Sequence, residues 1–227
     1  MFFGTSVFAV DDDVRLDKSY IKLSSGYVHI PDFNNISTLD FDPTFASAVY
    51  DIAYEPGISY QVVFGNTFKS FAVEISIDYI EVGLDSIKSD TLANYNDGDL
   101  SITFFLLNYL YHPSFLEFGN FSMYVGGGVG MAYRVDLDTS SCTGSRCSEP
   151  LLGTTATTFK SFTNEKRAVY QYLIGGNYVL TDSISIFSEL RNIFFDEVSL
   201  TLDSGKATYK NIDINPMVTT IGLKYDF

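Results

Sequence analysis

Thr220-Ile221-Gly222-Leu223-Lys224-Tyr225-Asp226-Phe227 closes the chain. In an extended strand successive side chains point to opposite faces, so Ile221, Leu223, Tyr225 and Phe227 share one face and Thr220, Gly222, Lys224 and Asp226 the other. The last residues of a soluble domain usually fray, because they gain too few contacts to offset their lost freedom. An amphipathic strand at this place fits a closed sheet whose final strand pairs with its first and turns an apolar face to lipid.

The rest of the chain is compatible with that reading. Its 227 residues contain no Pro/Ser-rich linker, so one domain is expected. Hydrophobic residues make up 46% and aromatic residues 16%. No run approaches the ~20 apolar residues of a membrane helix. The longest candidate, 102–111, is interrupted by Asn108, so a membrane would have to be crossed by strands. A formal charge of −14 argues against nucleic acid as a partner, since phosphate-binding surfaces depend on clustered Lys and Arg. Residues 1–10 are apolar, and Val7 and Ala9 are spaced for signal cleavage after Ala9, although no basic n-region precedes them. Residues 1–17 are therefore expected to be a residual export signal and leader, with the barrel in 18–227.

Period-two alternation marks eight extended segments: 18–30, 54–65, 71–82, 100–110, 121–136, 167–179, 183–195 and 211–227. Each reaches the ~9 to 11 residues that cross a hydrocarbon layer at a tilt. The connectors alternate in length. Long polar ones, 31–53, 83–99, 137–166 and 196–210, alternate with short ones, 66–70, 111–120 and 180–182. A membrane barrel sorts its connectors in this way, with long outer loops and short periplasmic turns. The expected fold class is all-β: an eight-stranded, antiparallel, up-and-down transmembrane barrel with both termini in the periplasm. Cys142 and Cys147, in the third long loop and without a neighbouring histidine, do not complete a zinc site. They read as a short loop disulfide of an oxidising compartment, with free thiols as the alternative.

The minority face of each strand separates a lipid-facing barrel from a soluble one. In 71–79, Phe71, Val73, Ile75, Ile77 and Tyr79 oppose Ala72, Glu74, Ser76 and Asp78. In 121–134, Val125, Val129 and Met131 oppose Tyr124, Gly126, Gly128, Gly130 and Arg134. Glycines make a poor solvent face. Inside a narrow eight-stranded barrel they leave room for large side chains opposite. Lys22, Glu74, Arg134, Glu189, Arg191 and Lys224 are expected to form a lumen network, because buried charge persists only when paired. Such a network reads either as a gated polar pore or as a self-satisfied plug, and so few strands favour the plug. Tyr170 and Tyr178, Phe71 and Tyr79, and Phe121 and Tyr133 stand near opposite segment ends, as two interfacial girdles require. Segment 100–110 is apolar on both faces, so its orientation stays open.

Tyr124-Val125-Gly126-Gly127-Gly128-Val129-Gly130-Met131-Ala132 resembles the glycine-rich strand of small outer-membrane barrels of the opacity-protein and surface-antigen superfamily. So does Tyr170-Gln171-Tyr172-Leu173-Ile174-Gly175-Gly176-Asn177-Tyr178, followed by Leu180-Thr181-Asp182 and Ser188-Glu189-Leu190-Arg191. The terminal segment, with Thr220, Gly222, Tyr225 and Phe227, resembles the assembly signal of bacterial outer-membrane barrels. The resemblance covers the second half of the chain well and the first half by pattern only. It implies outer-membrane lipid and the barrel assembly machinery as partners. It also implies variable surface loops acting as an antigen or adhesin of a Gram-negative bacterium, with a host surface molecule as the contact.

Four functions compete at this level: a non-enzymatic surface protein whose loops make the contacts, a small porin, a barrel enzyme acting on outer-leaflet lipid, and a soluble lipocalin-like carrier. Catalysis needs a base near a nucleophile. The two histidines, His29 and His112, lack that setting: His112 precedes Pro113 in a short turn, and His29 shares a face with Ser25 but with no acidic orienter. No catalytic, cofactor-binding or metal-ligating residue is therefore assigned. A carrier would need a polar exterior, against which the glycine and charge patterns argue.

Overall fold

A computed structural model describes residues 18–41, 48–88, 94–143, 160–196, 198–202, 207–212 and 214–227. The proposed leader, 1–17, lies outside them. Eight strands close a ring: β1 (Lys18–His29), β3 (Ala48–Phe68), β4 (Phe71–Lys88), β5 (Asn94–Tyr111), β7 (Phe121–Thr143), β8 (Lys160–Val179), β9 (Ile184–Phe195) and β12 (Met217–Asp226). Around the ring the order is β1, β12, β9, β8, β7, β5, β4, β3 and back to β1, with every pair antiparallel. The closing seam runs from Tyr20 opposite Asp226 to His29 opposite Met217. The terminal amphipathic segment thus pairs with the first strand, and this ring has no free edge.

At the end of the barrel that holds the termini the connections are tight. Phe68 pairs with Phe71 across a two-residue turn in which Lys69 takes a φ of 53°. The short β6 (Glu117–Phe118) turns into β7 through Gly119, at a φ of 62°. Two-residue hairpins demand this left-handed backbone, because it matches the twist of the flanking strands.

The far end differs from the expectation of four long loops. Strands β3, β4, β5, β7 and β8 run on into the segments read as connectors, and three further strands stand there: β2 (Phe33–Phe41), β10 (Val198–Leu202) and β11 (Ala207–Ile212). β10, β11 and β2 insert between β8 and β3, so a second closed ring sits on the first. Five strands pass through both rings, while β1, β12 and β9 hand over to β2, β11 and β10.

The physical reason for the longer sheet lies in the faces of β4. From Phe71 to Tyr79 the outward residues are apolar and the inward ones are Ala72, Glu74, Ser76 and Asp78. Beyond Tyr79 the chemistry exchanges sides although the in-and-out alternation of β4 itself is unbroken: Glu81 and Asp85 are exposed, whereas Ile80, Val82 and Leu84 are buried. Strand β5 crosses the same boundary in the opposite direction. Leu100, Ile102, Phe104 and Leu106 point inward, and Phe105, Leu107, Tyr109 and Tyr111 point outward. That settles the orientation of segment 100–110 and explains its two apolar faces. The near half is an inverted barrel with apolar residues outside, and the far half is an ordinary barrel with apolar residues inside.

Candidate functional site

The interior is filled in layers. Nearest the termini, Lys22 on β1 reaches Glu74 on β4 at 2.5 Å and Glu189 on β9 at 3.0 Å, each carboxylate two strands away around the ring. The Tyr20 hydroxyl donates to Glu74 at 2.8 Å and the Tyr124 hydroxyl to Glu189 at 2.7 Å. The ammonium also lies 5.0 Å from the ring centre of Tyr124 and 4.9 Å from that of Phe187. All of these groups are buried, so each charge keeps its place through partners rather than solvent.

The second layer spans the diameter. Arg191 on β9 donates through Nη1 to Asp78 Oδ1 on β4 at 2.5 Å, four strands away by either route round the ring. The Ser76 hydroxyl donates to the other Asp78 oxygen at 2.7 Å. Both members of the ion pair have 0% exposure. Beside them Gln171 donates to Asn108 at 2.8 Å. Beyond this layer the interior becomes an apolar plug that includes Val28, Ile80, Leu100, Phe104 and Val218, with the Phe104 and Phe195 rings edge to face at 5.6 Å.

Glycine supplies the width these side chains use. A Cβ at Gly175 would run into the Tyr124 ring, one at Gly65 into the Tyr20 ring, and one at Gly128 into the Asn108 side chain. Packing of this kind needs small residues directly facing large ones.

Of the residues expected in the network, Lys22, Glu74 and Glu189 come together, and Arg191 forms the neighbouring pair. Lys224 sits beside the cluster rather than in it. Its backbone faces that of Lys22 across the seam, and its ammonium turns to Asp226 at 2.7 Å and over the Tyr20 ring at 4.3 Å, away from its like charge.

Arg134 is a correction: its side chain is 59% exposed on the outer surface and pairs with Asp136. The cause is a bulge. The β5–β7 register shifts between Thr103 and Phe104, which pair with Arg134 and Ala132, so Tyr133 is an extra residue. One extra residue reverses the facing of everything after it. Ala132, Val135 and Leu137 point inward, while Tyr133 and Arg134 point outward.

Tyr20, Asp78 and Asn108 are members the sequence reading missed. Asp78 shares a face with Glu74, and Tyr20 shares one with Lys22, which is the signal available for both. In the terminal segment Thr220 is buried inside, Gly222 backs onto the Leu23 carbonyl, and Tyr225 and Phe227 face outward with ring centres 6.4 Å apart. Cys147 and the side chain of Cys142 lie outside the described residues.

On the side of the termini the charged layer floors an open vestibule of about 590 Å³, lined by Tyr20, Lys22, His112, Tyr124, Lys224 and Asp226 among others. His112 tilts over Tyr124 with ring centres 5.0 Å apart. Among the described residues no group of three or more His, Cys, Asp or Glu is placed to hold a metal ion.

No protein-family model matches the chain, and no curated protein matches it in sequence. Solved structures do match in fold. A major outer membrane protein from Thermus thermophilus is 11% identical, with a TM-score of 0.51, over 92% of this chain and 99% of that one. Neisserial surface protein A is 12% identical, with a TM-score of 0.48, over 92% and 97%. The outer membrane protease OmpT from Escherichia coli is 11% identical, with a TM-score of 0.42, over 93% and 95%. Identities this low speak to fold alone. The fold is that of a small outer-membrane β-barrel, with eight antiparallel strands in a hydrogen-bonded ring.

Proposed function

We propose that this chain is a non-enzymatic outer-membrane surface protein, with its termini in the periplasm and its far ring outside the cell, where it presents an acidic face to host or envelope molecules. The observation that carries this reading is the filled interior. The Lys22 cluster, the Arg191–Asp78 pair and the apolar plug follow one another along the axis, so the vestibule ends blind. A barrel without a passage acts through its surface, and loops and rims on a rigid frame are where binding usually resides. Beyond the apolar belt the exposed residues include Glu55, Glu81, Asp85 and Asp138, which favours a cationic contact. His29 points outward next to the Met217 backbone across the seam, a setting of an interfacial side chain rather than of a base.

The test has two arms. Purified protein in a planar bilayer gives no steady conductance on this reading, and steady unitary currents would replace it with the porin alternative. Cells displaying the intact chain bind host surfaces or cationic beads more strongly than cells whose protein carries Glu81→Lys and Asp85→Lys. Equal binding at equal surface density would refute the acidic face as the contact.

A further inference from the structure

The β5–β7 connector leaves an apolar surface that neither the ring nor the interior uses. Phe115, in the 3-10 turn Ser114–Leu116, is 75% exposed, and Phe118 on β6 is 63% exposed. Phe118 pairs across the hairpin with Phe121, and Phe121 pairs with Tyr178. Those two open the lipid-facing columns of β7 and β8, which continue through Val125 and Ile174. The neighbouring β8–β9 turn joins the patch: the Val179 amide donates to the Asn120 carbonyl at 2.8 Å, and Leu180 is half exposed. The apolar belt therefore runs past the last ring pairs in this sector. On the other side of the connector lies the β3–β4 turn, whose Ser70 carbonyl accepts from the His112 amide at 2.7 Å and whose tip exposes Lys69 beside a half-exposed Phe68.

We infer that the 112–120 connector is a membrane anchor, with Phe115 and Phe118 seated at the headgroup–acyl boundary of the phospholipid leaflet on the side of the termini. Continuity decides the occupant. Phe118 abuts Phe121, which already faces hydrocarbon, so a protein partner would have to compete with lipid along an unbroken surface. Phenylalanine without a hydroxyl suits the acyl side of that boundary, and exposed Ser114, Glu117 and Asn120 supply the hydrated side.

The chain contains no tryptophan, so Phe115→Trp and Phe118→Trp each introduce a single reporter on an exposed side chain. Ile75→Trp serves as the belt reference and Lys69→Trp as the water reference, all in phosphatidylcholine vesicles with and without acyl-brominated lipid. The expected result is emission shifted to the blue of Lys69→Trp, with a loss on brominated lipid approaching that of Ile75→Trp and strongest for bromines near the headgroup. Emission and acrylamide quenching equal to those of Lys69→Trp, with no loss on brominated lipid, would overturn the anchor. So would a blue shift that vanishes on diluting the protein in lipid, which would identify a second copy as the occupant. Leu180→Trp, on the adjoining turn, gives an independent reading if either phenylalanine variant fails to insert.

Discussion

Replacing Arg191 by methionine leaves the Asp78 carboxyl buried, held by the Ser76 hydroxyl but without its guanidinium. Breaking a buried ion pair from one side costs ~3–5 kcal/mol, because the remaining charge keeps its desolvation penalty and loses its compensation. Asp78→Leu alone carries a similar cost, since it strands the guanidinium. The double variant Arg191→Met/Asp78→Leu removes both charges and extends the apolar plug by one layer, so its stability should lie within ~1 kcal/mol of the parent or above it. The two single costs add while the double nearly cancels, so the coupling in the cycle is ~6–10 kcal/mol, far beyond the ~0.5–1 kcal/mol of a solvated pair. Urea unfolding in lipid vesicles, followed by loss of the folded band on an unboiled gel, reads all four proteins. Single variants costing under ~1 kcal/mol would refute the dry, diameter-spanning placement of the pair, because solvated charges lose little when separated.

Other outcomes follow from the same packing. Gly175→Val drives a side chain into the Tyr124 ring and should cost ~1–3 kcal/mol by overpacking; adding Tyr124→Ala should recover part of it in the same unfolding assay, and no recovery would contradict the contact. Ile75→Arg, in the middle of the belt, should cost ~2–4 kcal/mol, whereas Glu81→Arg, two residues past Tyr79, should stay within ~0.5 kcal/mol; equal costs would mean that the boundary is misplaced. Arg191 Nε and Nη2, Gln171 Oε1 and Asn108 Nδ2 lack protein partners while buried. Buried polar groups are completed by ordered water, so a high-resolution crystal structure should show water bonded to Arg191; a dry guanidinium edge would contradict this.

The near ring was legible because its two faces differ in chemistry residue by residue: Val73, Ile75 and Ile77 against Glu74, Ser76 and Asp78. Alternation and the spacing of short turns sufficed to find all eight strands. The far ring was read as loops because polarity was taken to mean solvated coil, and Asp85 and Asp99 fit a loop as well as the outer face of a sheet. An inversion of faces at Tyr79 cannot be recognised without knowing where the lipid ends, and β5 carried that ambiguity over its whole length. Arg134 was misplaced for a different reason. A bulge after Ala132 shifts facing by one, and no residue in Ala132-Tyr133-Arg134 announces it. Asp78 was visible on the right face but could be matched to Arg191 only once the ring order set β4 opposite β9.

The exchange of faces along β4 is best tested by cysteine labelling in lipid vesicles, in a Cys142→Ser/Cys147→Ser background, with a water-soluble maleimide on both sides of the bilayer. Cysteines at 81 and 85 should react quickly, while those at 73, 75 and 77 stay shielded by lipid and those at 80 and 82 by the plug. Rapid reaction at 75 and 77, or at 80 and 82, would show water where hydrocarbon or a packed interior is required.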